Sequence, residues 1–167
     1  MRGAFLTTLW LVILSHPSAA ACYDRSGLPA QKRFALKSDE AFDSKTGLTW
    51  KRCSLGTKPD GGRGCAGEKA FVNFDQALRS AKAEGDGWHV PSGPELESLI
   101  DISCGNPVVD VVVFPDIRPD ADGAAEYWTT NEVGVANLIY YFDFMTGRAD
   151  GHSRGFQLAV RLVKKGK

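Results

Sequence analysis

The sequence predicts an α+β fold, two helices packed on antiparallel strands and stabilised by disulfides. Three observations carry this expectation. The elements run as strands, then two helices, then a further series of strand-like segments, without the βαβα alternation of a parallel sheet. Eighteen Gly and eight Pro in 167 residues mark a turn-rich chain rather than a helical bundle. Four Cys behind an export-like leader read as a disulfide framework. One domain is expected at this length, and no linker or internal repeat divides the chain.

The first element is an address. Met1-Arg2-Gly3 gives a positive start, Ala4 to Leu14 is mostly apolar, and Ser15 to Ala21 ends in small residues after Pro17. This is the anatomy of a secretory signal peptide. The apolar run spans about 16 Å as a helix, against a hydrocarbon core of about 30 Å, so it is too short to cross a membrane. Cleavage after Ala20 and after Ala21 fit equally well. The expected mature domain is therefore 22–167, periplasmic or secreted and without a transmembrane segment. A rival reading makes Cys22 a lipid-anchored cysteine, but a lipobox prefers Leu where this chain has Ala19.

From Arg33 the sequence turns β-like, and Lys45-Thr46-Gly47 forms a turn into a strand over Leu48 to Arg52. Asn73 to Gly85 reads as a helix. Asn73 and Gln76 have capping-box spacing, Phe74, Ala77, Leu78 and Ala81 share a face, and Gly85 can end it. Ser92 and Glu95 form a second capping box, with Leu96, Leu99 and Ile100 continuing an apolar face towards Cys104-Gly105. Val108 to Phe114 and a Pro/Asp/Gly loop over 115–123 follow. Three strand-like segments close the chain: Glu126 to Asn131, Leu138 to Phe144 and Phe156 to Val163.

The mature cysteines are Cys22, Cys53, Cys65 and Cys104, which permit three pairings. None is spaced C-x-x-C, so neither a zinc ribbon nor a thioredoxin-type site is indicated. Cys53 and Cys65 flank a Gly-rich loop that needs closing. We therefore favour Cys53–Cys65 with Cys22–Cys104, the other two pairings remaining open.

Charge excludes more than it suggests. Twenty Lys+Arg balance 20 Asp+Glu, so neither a polybasic nucleic-acid binder nor an acidic disordered tail is expected. Local cations are the candidates for holding an anionic polymer: Lys58 and Arg63 in the Gly-rich loop, and Lys164 and Lys165 near the C-terminus. The competing reading of the terminal lysines is a solubilising tail.

Five landmarks in order resemble the Lcl C-terminal domain family. They are Asp43-Ser44-Lys45-Thr46-Gly47-Leu48-Thr49-Trp50; Gly87-Trp88-His89-Val90-Pro91 with Glu95-Leu96 and Leu99-Ile100-Asp101; Phe114-Pro115; Tyr127-Trp128-Thr129-Thr130; and Val160-Arg161-Leu162-Val163. The likeness covers roughly residues 33 to 164. It implies a C-type-lectin-like fold, related to the sulfatase-modifying-factor group, and an extracytoplasmic role. In the family's namesake it implies adhesion and binding of sulfated glycosaminoglycans. Many relatives carry a Cys after the Trp-x-Arg and another after a Gly-rich loop. Two positions depart from the pattern, His89 for the usual Arg and Val90 for the usual Leu, and no collagen-like stretch precedes the domain.

For chemistry, His89 reads as a hydrogen-bonding residue at a strand-to-helix junction and His152 as solvated. No nucleophile motif, H-E-x-x-H, P-loop or dinucleotide fingerprint is present, so no catalytic residue, metal or cofactor is assigned. Asp116, Asp120 and Asp122 supply calcium-type oxygens, yet their spacing falls short of an EF-hand and a solvated acidic turn is preferred. Trp50, Trp88 and Trp128 read as core. Tyr127, Tyr140 and Tyr141 are candidate stacking surfaces, with Tyr141 and Asp143 expected on the more exposed face of their strand. The expected function is an exported, non-catalytic binding module for a glycan or an envelope protein. The alternatives are an enzyme or accessory of the sulfatase-modifying type, and a structural component of the envelope.

Overall fold

The computed structural model describes residues 22, 33–61, 64–135 and 137–166. The leader over 1–21 and Arg63 lie outside the described residues. Strands β1 (Phe34–Lys37), β2 (Glu40–Asp43) and β3 (Leu48–Lys51) form a meander, and β9 (Val163–Lys165) returns from the chain's end to pair with β3, giving the order β1-β2-β3-β9. A two-stranded ribbon joins β4 (Lys58–Pro59) to β5 (Cys65–Ala66), and β6 (Glu126–Glu132), β7 (Leu138–Asp143) and β8 (Arg148–Ser153) make a three-stranded sheet. All named strand pairs are antiparallel. The fold is therefore α+β, with few helices, mostly antiparallel sheets and two disulfides.

Helix α1 (Phe74–Glu84) begins and ends where its signals stand. Asn73 accepts from the Gln76 N–H and Gln76 returns a bond to the Asn73 N–H, while Gly85 leaves the helix at φ 68°. Phe74, Ala77 and Ala81 form its buried stripe. The second helix is shorter than its apolar face suggests. Its capping box is formed by Ser92 and Glu95, but α2 covers only Gly93–Glu97, and a separate 3₁₀ turn takes Ile102–Cys104. Arg33 draws on the Ser98 carbonyl at 2.7 Å, and the Asp101 side chain accepts the Ser103 N–H, so the backbone groups are satisfied by partners other than a continuing helix.

Two apolar clusters lie on opposite faces of the β6–β7 layer. Tyr127 and Phe142 join Phe34, Trp50, Leu96, Val113 and Phe114 on one side, while neighbouring Trp128 and Ile139 join Phe74, Ala77, Trp88 and Val160 on the other. The segment 158–163 is buried on both sides in the same alternating manner, Leu158, Val160 and Leu162 facing one cluster, Ala159 and Val163 the other. This corrects the expected strand over Phe156 to Val163. Most of it is extended backbone held by single bridges to Val72 and Tyr127, and the regular strand starts only at Val163. Val108 to Phe114, largely apolar though it is, forms no strand. Its carbonyls at Val112 and Val113 are gripped by the Arg52 guanidinium, each at 3.1 Å.

Three strands lie outside the expected segments: the two-residue β4 and β5 of the Gly-rich loop, and β8, whose Arg-Ala-Asp-Gly-His-Ser sequence has little strand propensity. The signal for β8 was nonetheless present. Phe142-Asp143-x-x-Thr146-Gly147 repeats Phe42-Asp43-x-x-Thr46-Gly47. In both turns the Asp carboxylate accepts an N–H two residues on at 2.9 Å and the Thr hydroxyl at 2.7 Å, and Gly adopts φ 71°. The second copy therefore closes a hairpin as the first does.

The disulfides join Cys22 to Cys104 and Cys53 to Cys65. No helix among the described residues is long and apolar enough to cross a membrane.

Candidate functional site

The Trp50-Lys51-Arg52-Cys53 run divides its side chains between the interior and a surface cleft. Trp50 is fully buried, and Arg52 turns inward to its carbonyl partners. Lys51 and Cys53 line a cleft of about 640 Å³ together with Asp39, Thr57, Lys58 and Glu84. The Cys53–Cys65 bridge clamps the β4–β5 ribbon as one wall. On another wall, Lys51 Nζ lies 2.8 Å from both Asp39 Oδ2 and Glu84 Oε1 and 4.7 Å from the centre of the Trp88 ring.

The turn 54–57 that forms the base of the cleft is held from beneath by a buried ion pair. Asp116 accepts the Ser54 N–H at 2.6 Å and the Thr57 hydroxyl at 2.8 Å, and is ion-paired to Arg161. Arg161 also bonds Ser54 Oγ at 2.9 Å and the Lys51 carbonyl at 3.0 Å, and Ser54 Oγ meets the Tyr127 hydroxyl at 2.8 Å. Burial alone would raise the Asp116 carboxyl, but the Arg161 charge and these donors outweigh it and hold the group well below the carboxylate range. Asp116 is thus no part of a solvated acidic turn, as the sequence had suggested. Asp120 does organise such a turn, accepting the Asp122 and Ala124 N–H groups. Among the described residues, no group of three or more His, Cys, Asp and Glu is placed to hold a metal ion.

Gly56 shows how tightly the base is packed. It sits at φ 91°, and a β-carbon there would lie 2.5 Å from the Glu68 carbonyl oxygen and 2.7 Å from the Ala70 nitrogen. Gly56→Ala should therefore destabilise the protein by about 1–3 kcal/mol, from strain and overpacking together. Urea denaturation would read this, and an unchanged midpoint would show that the turn yields freely.

The remaining candidate residues do not converge on one surface. Lys58 is exposed at the rim, and Lys165 is exposed on β9. Lys164 is not a solvated tail residue. It is 9% exposed, its ammonium 2.7 Å from Asp86, 3.1 Å from Glu40 and 4.4 Å from the Trp88 ring centre. Asp143 is occupied by its turn and by the Ala125 N–H. Tyr127 is core rather than surface, and the expected exposure of the Tyr141–Asp143 face is corrected likewise. That face packs against the α1-side cluster because β7 has apolar layers on both sides, and the more open tyrosine is Tyr140, at 39%.

His152 also departs from expectation. Rather than being solvated, it is stacked between Tyr141 at 4.7 Å and Phe156 at 3.8 Å, with Glu126 3.9 Å away. Burial, and after it the Glu126 charge, push the Tyr141 hydroxyl up to about 12. His89 does link strand to helix: its ring meets Glu95 at 3.3 Å and the Gly87 carbonyl at 3.1 Å, while its backbone bridges to Val163.

Carboxylate titration gives a signed prediction. Asp116, Asp43, Asp39 and Glu95 are all held below their ordinary values. Each therefore stabilises the fold above its unfolded pKa of about 4, and that contribution is lost as pH falls towards the folded value. Asp110 and Glu126, raised chiefly by burial, work in the opposite sense. With the most depressed group among the four, thermal midpoints should drop progressively below about pH 4. A flat profile from pH 6 to 2.5 would contradict this.

The family model of the Lcl C-terminal domain matches residues 40–164. That span includes Cys53, Cys65, Asp116 and Arg161, and every described residue of the cleft except Ser38 and Asp39. No curated protein matches the chain.

Proposed function

The chain belongs to the Lcl C-terminal domain family, and from that premise we propose that it acts outside the cytoplasm as a non-catalytic binding module. In this reading the fold is C-type-lectin-like and the ligand is a glycan, or a glycan-bearing component of the envelope, seated in the cleft beside the 53–65 bridge. The observation that carries the reading is the cleft itself. At about 640 Å³ it falls within the span of about 300–1,000 Å³ usual for small-ligand sites. It is built from connections on a disulfide-braced scaffold, where binding residues commonly sit. Lys58 as a donor beside Asp39 and Glu84 as acceptors suits a polyhydroxylated ligand.

The non-catalytic part rests on how the reactive groups are used. The Ser54 hydroxyl is committed inward to Tyr127 and Arg161, the Thr57 hydroxyl to Asp116 and the Ser54 carbonyl, and Cys53 to its bridge. Two disulfides are consistent with an oxidising compartment.

The test is a calorimetric and NMR titration of the oxidised protein with neutral, amine-bearing and sulfated oligosaccharides, with calcium and with chelator. Saturable binding that shifts resonances of Lys51 and of 55–59, and that is lost in folded Cys53→Ser/Cys65→Ser protein, is the expected result. Silence across the panel from folded protein would remove the glycan reading and leave an envelope protein as the partner to seek.

A further inference from the structure

Resting on the cleft as the binding site, we propose that it selects a saccharide bearing a protonated amine over its neutral or sulfated counterparts. The argument begins with the charges that the cleft sets apart. Asp39 and Glu84 share one ammonium, that of Lys51, each through a single oxygen at 2.8 Å. Two carboxylates against one lysine leave that wall negative by one charge. Neither carboxylate is buried, their side chains being 36% and 42% exposed, so an incoming donor can reach them.

The helix adds to the same field. Glu84 is the last residue of α1, an eleven-residue helix, so the unpaired carbonyls and negative end of its dipole lie at this wall. The chain already shows what the neighbourhood accepts. The Trp88 ring, next to the cleft, carries the ammonium groups of both Lys51 and Lys164, at 4.7 and 4.4 Å.

The cations offered to an anion are few. Lys51 is taken by its two carboxylates and Lys164 by Glu40 and Asp86, which leaves Lys58 as the exposed cation among the described lining residues. A sulfated chain would meet one lysine and, beyond it, the Asp39–Glu84 wall. An ammonium-bearing sugar would place its charge against that wall and its hydroxyls along the 55–58 segment. One charge-assisted hydrogen bond gained in this way favours the amine by about tenfold.

The experiment titrates the oxidised protein with a glucosamine oligosaccharide and with its N-acetylated counterpart, at pH 6 and at two salt concentrations. The same titrations are run on Glu84→Gln and Asp39→Asn. The free amine should bind about tenfold more tightly, with a preference that weakens at higher salt and shrinks several-fold in either variant. Equal or tighter binding of the N-acetylated sugar overturns the proposal while leaving the cleft as a glycan site, as does a preference untouched by both substitutions. If no saccharide of any charge perturbs the cleft, the glycan reading itself falls, and this inference falls with it.

Discussion

Alanine in place of Asp116 is expected to lower the unfolding free energy by about 3–5 kcal/mol, the loss that follows when one member of a buried ion pair is removed. Arg161 would remain fully buried with its charge uncompensated, and the Ser54 N–H and Thr57 hydroxyl would lose their shared acceptor. Because that acceptor holds the 54–57 turn, the variant should lose cleft binding along with stability. Asp116→Asn keeps the shape without the charge and should recover only part of the loss. Arg161→Met combined with Asp116→Leu should cost far less than the two single changes summed, since the residues act as one network. Urea denaturation measures each term. A loss below about 1 kcal/mol for Asp116→Ala would mean that the interior reorganises around Arg161.

Removal of the Cys22–Cys104 bridge is the second large effect. It spans 82 residues, for which the chain-entropy relation gives about 4.5 kcal/mol, against about 3 kcal/mol for the 12-residue span of Cys53–Cys65. Cys22→Ser/Cys104→Ser should therefore show the lower denaturation midpoint of the two double variants. Binding should sort them the other way. The cleft is walled by the 53–65 ribbon and no residue of the longer bridge lines it, so the protein lacking 22–104 should still bind at temperatures where it is folded. A shorter bridge that matters more to stability than the longer one would show that native strain or residual unfolded structure outweighs loop closure here.

Local chemistry made much of this protein legible in advance. Asn73 with Gln76 and Ser92 with Glu95 announce helix starts because a capping box is satisfied within four residues, and both form as the spacing requires. Five landmarks in order, those of Trp50, Trp88 and Trp128 among them, carried the likeness to the family whose model matches 40–164. The glycine-rich loop between Cys53 and Cys65 favoured their pairing, which the structure shows. Length of α2, the fate of 108–114 and the inside and outside of β7 could not be read this way, since each depends on partners far along the chain. Arg52 reaches about sixty residues ahead to the Val112 and Val113 carbonyls, and β7 is buried on both faces because apolar clusters from distant segments lie on each side, Val160 and Phe74 among them on one.

The same distinction separates the residues that seemed available for function from those that are. Sequence alone determined the capped helix starts, the likeness to the family and the set of charged residues, and it favoured one of three disulfide pairings. The tertiary structure decided which charges remain free to act. Asp116 and Lys164 look like solvent-facing groups until Arg161 is placed against one, and Glu40, Asp86 and Trp88 around the other. The physical reason is that an ionic group's role depends on burial and on its partner's charge, and both are set by contacts between residues 45 to 124 positions apart.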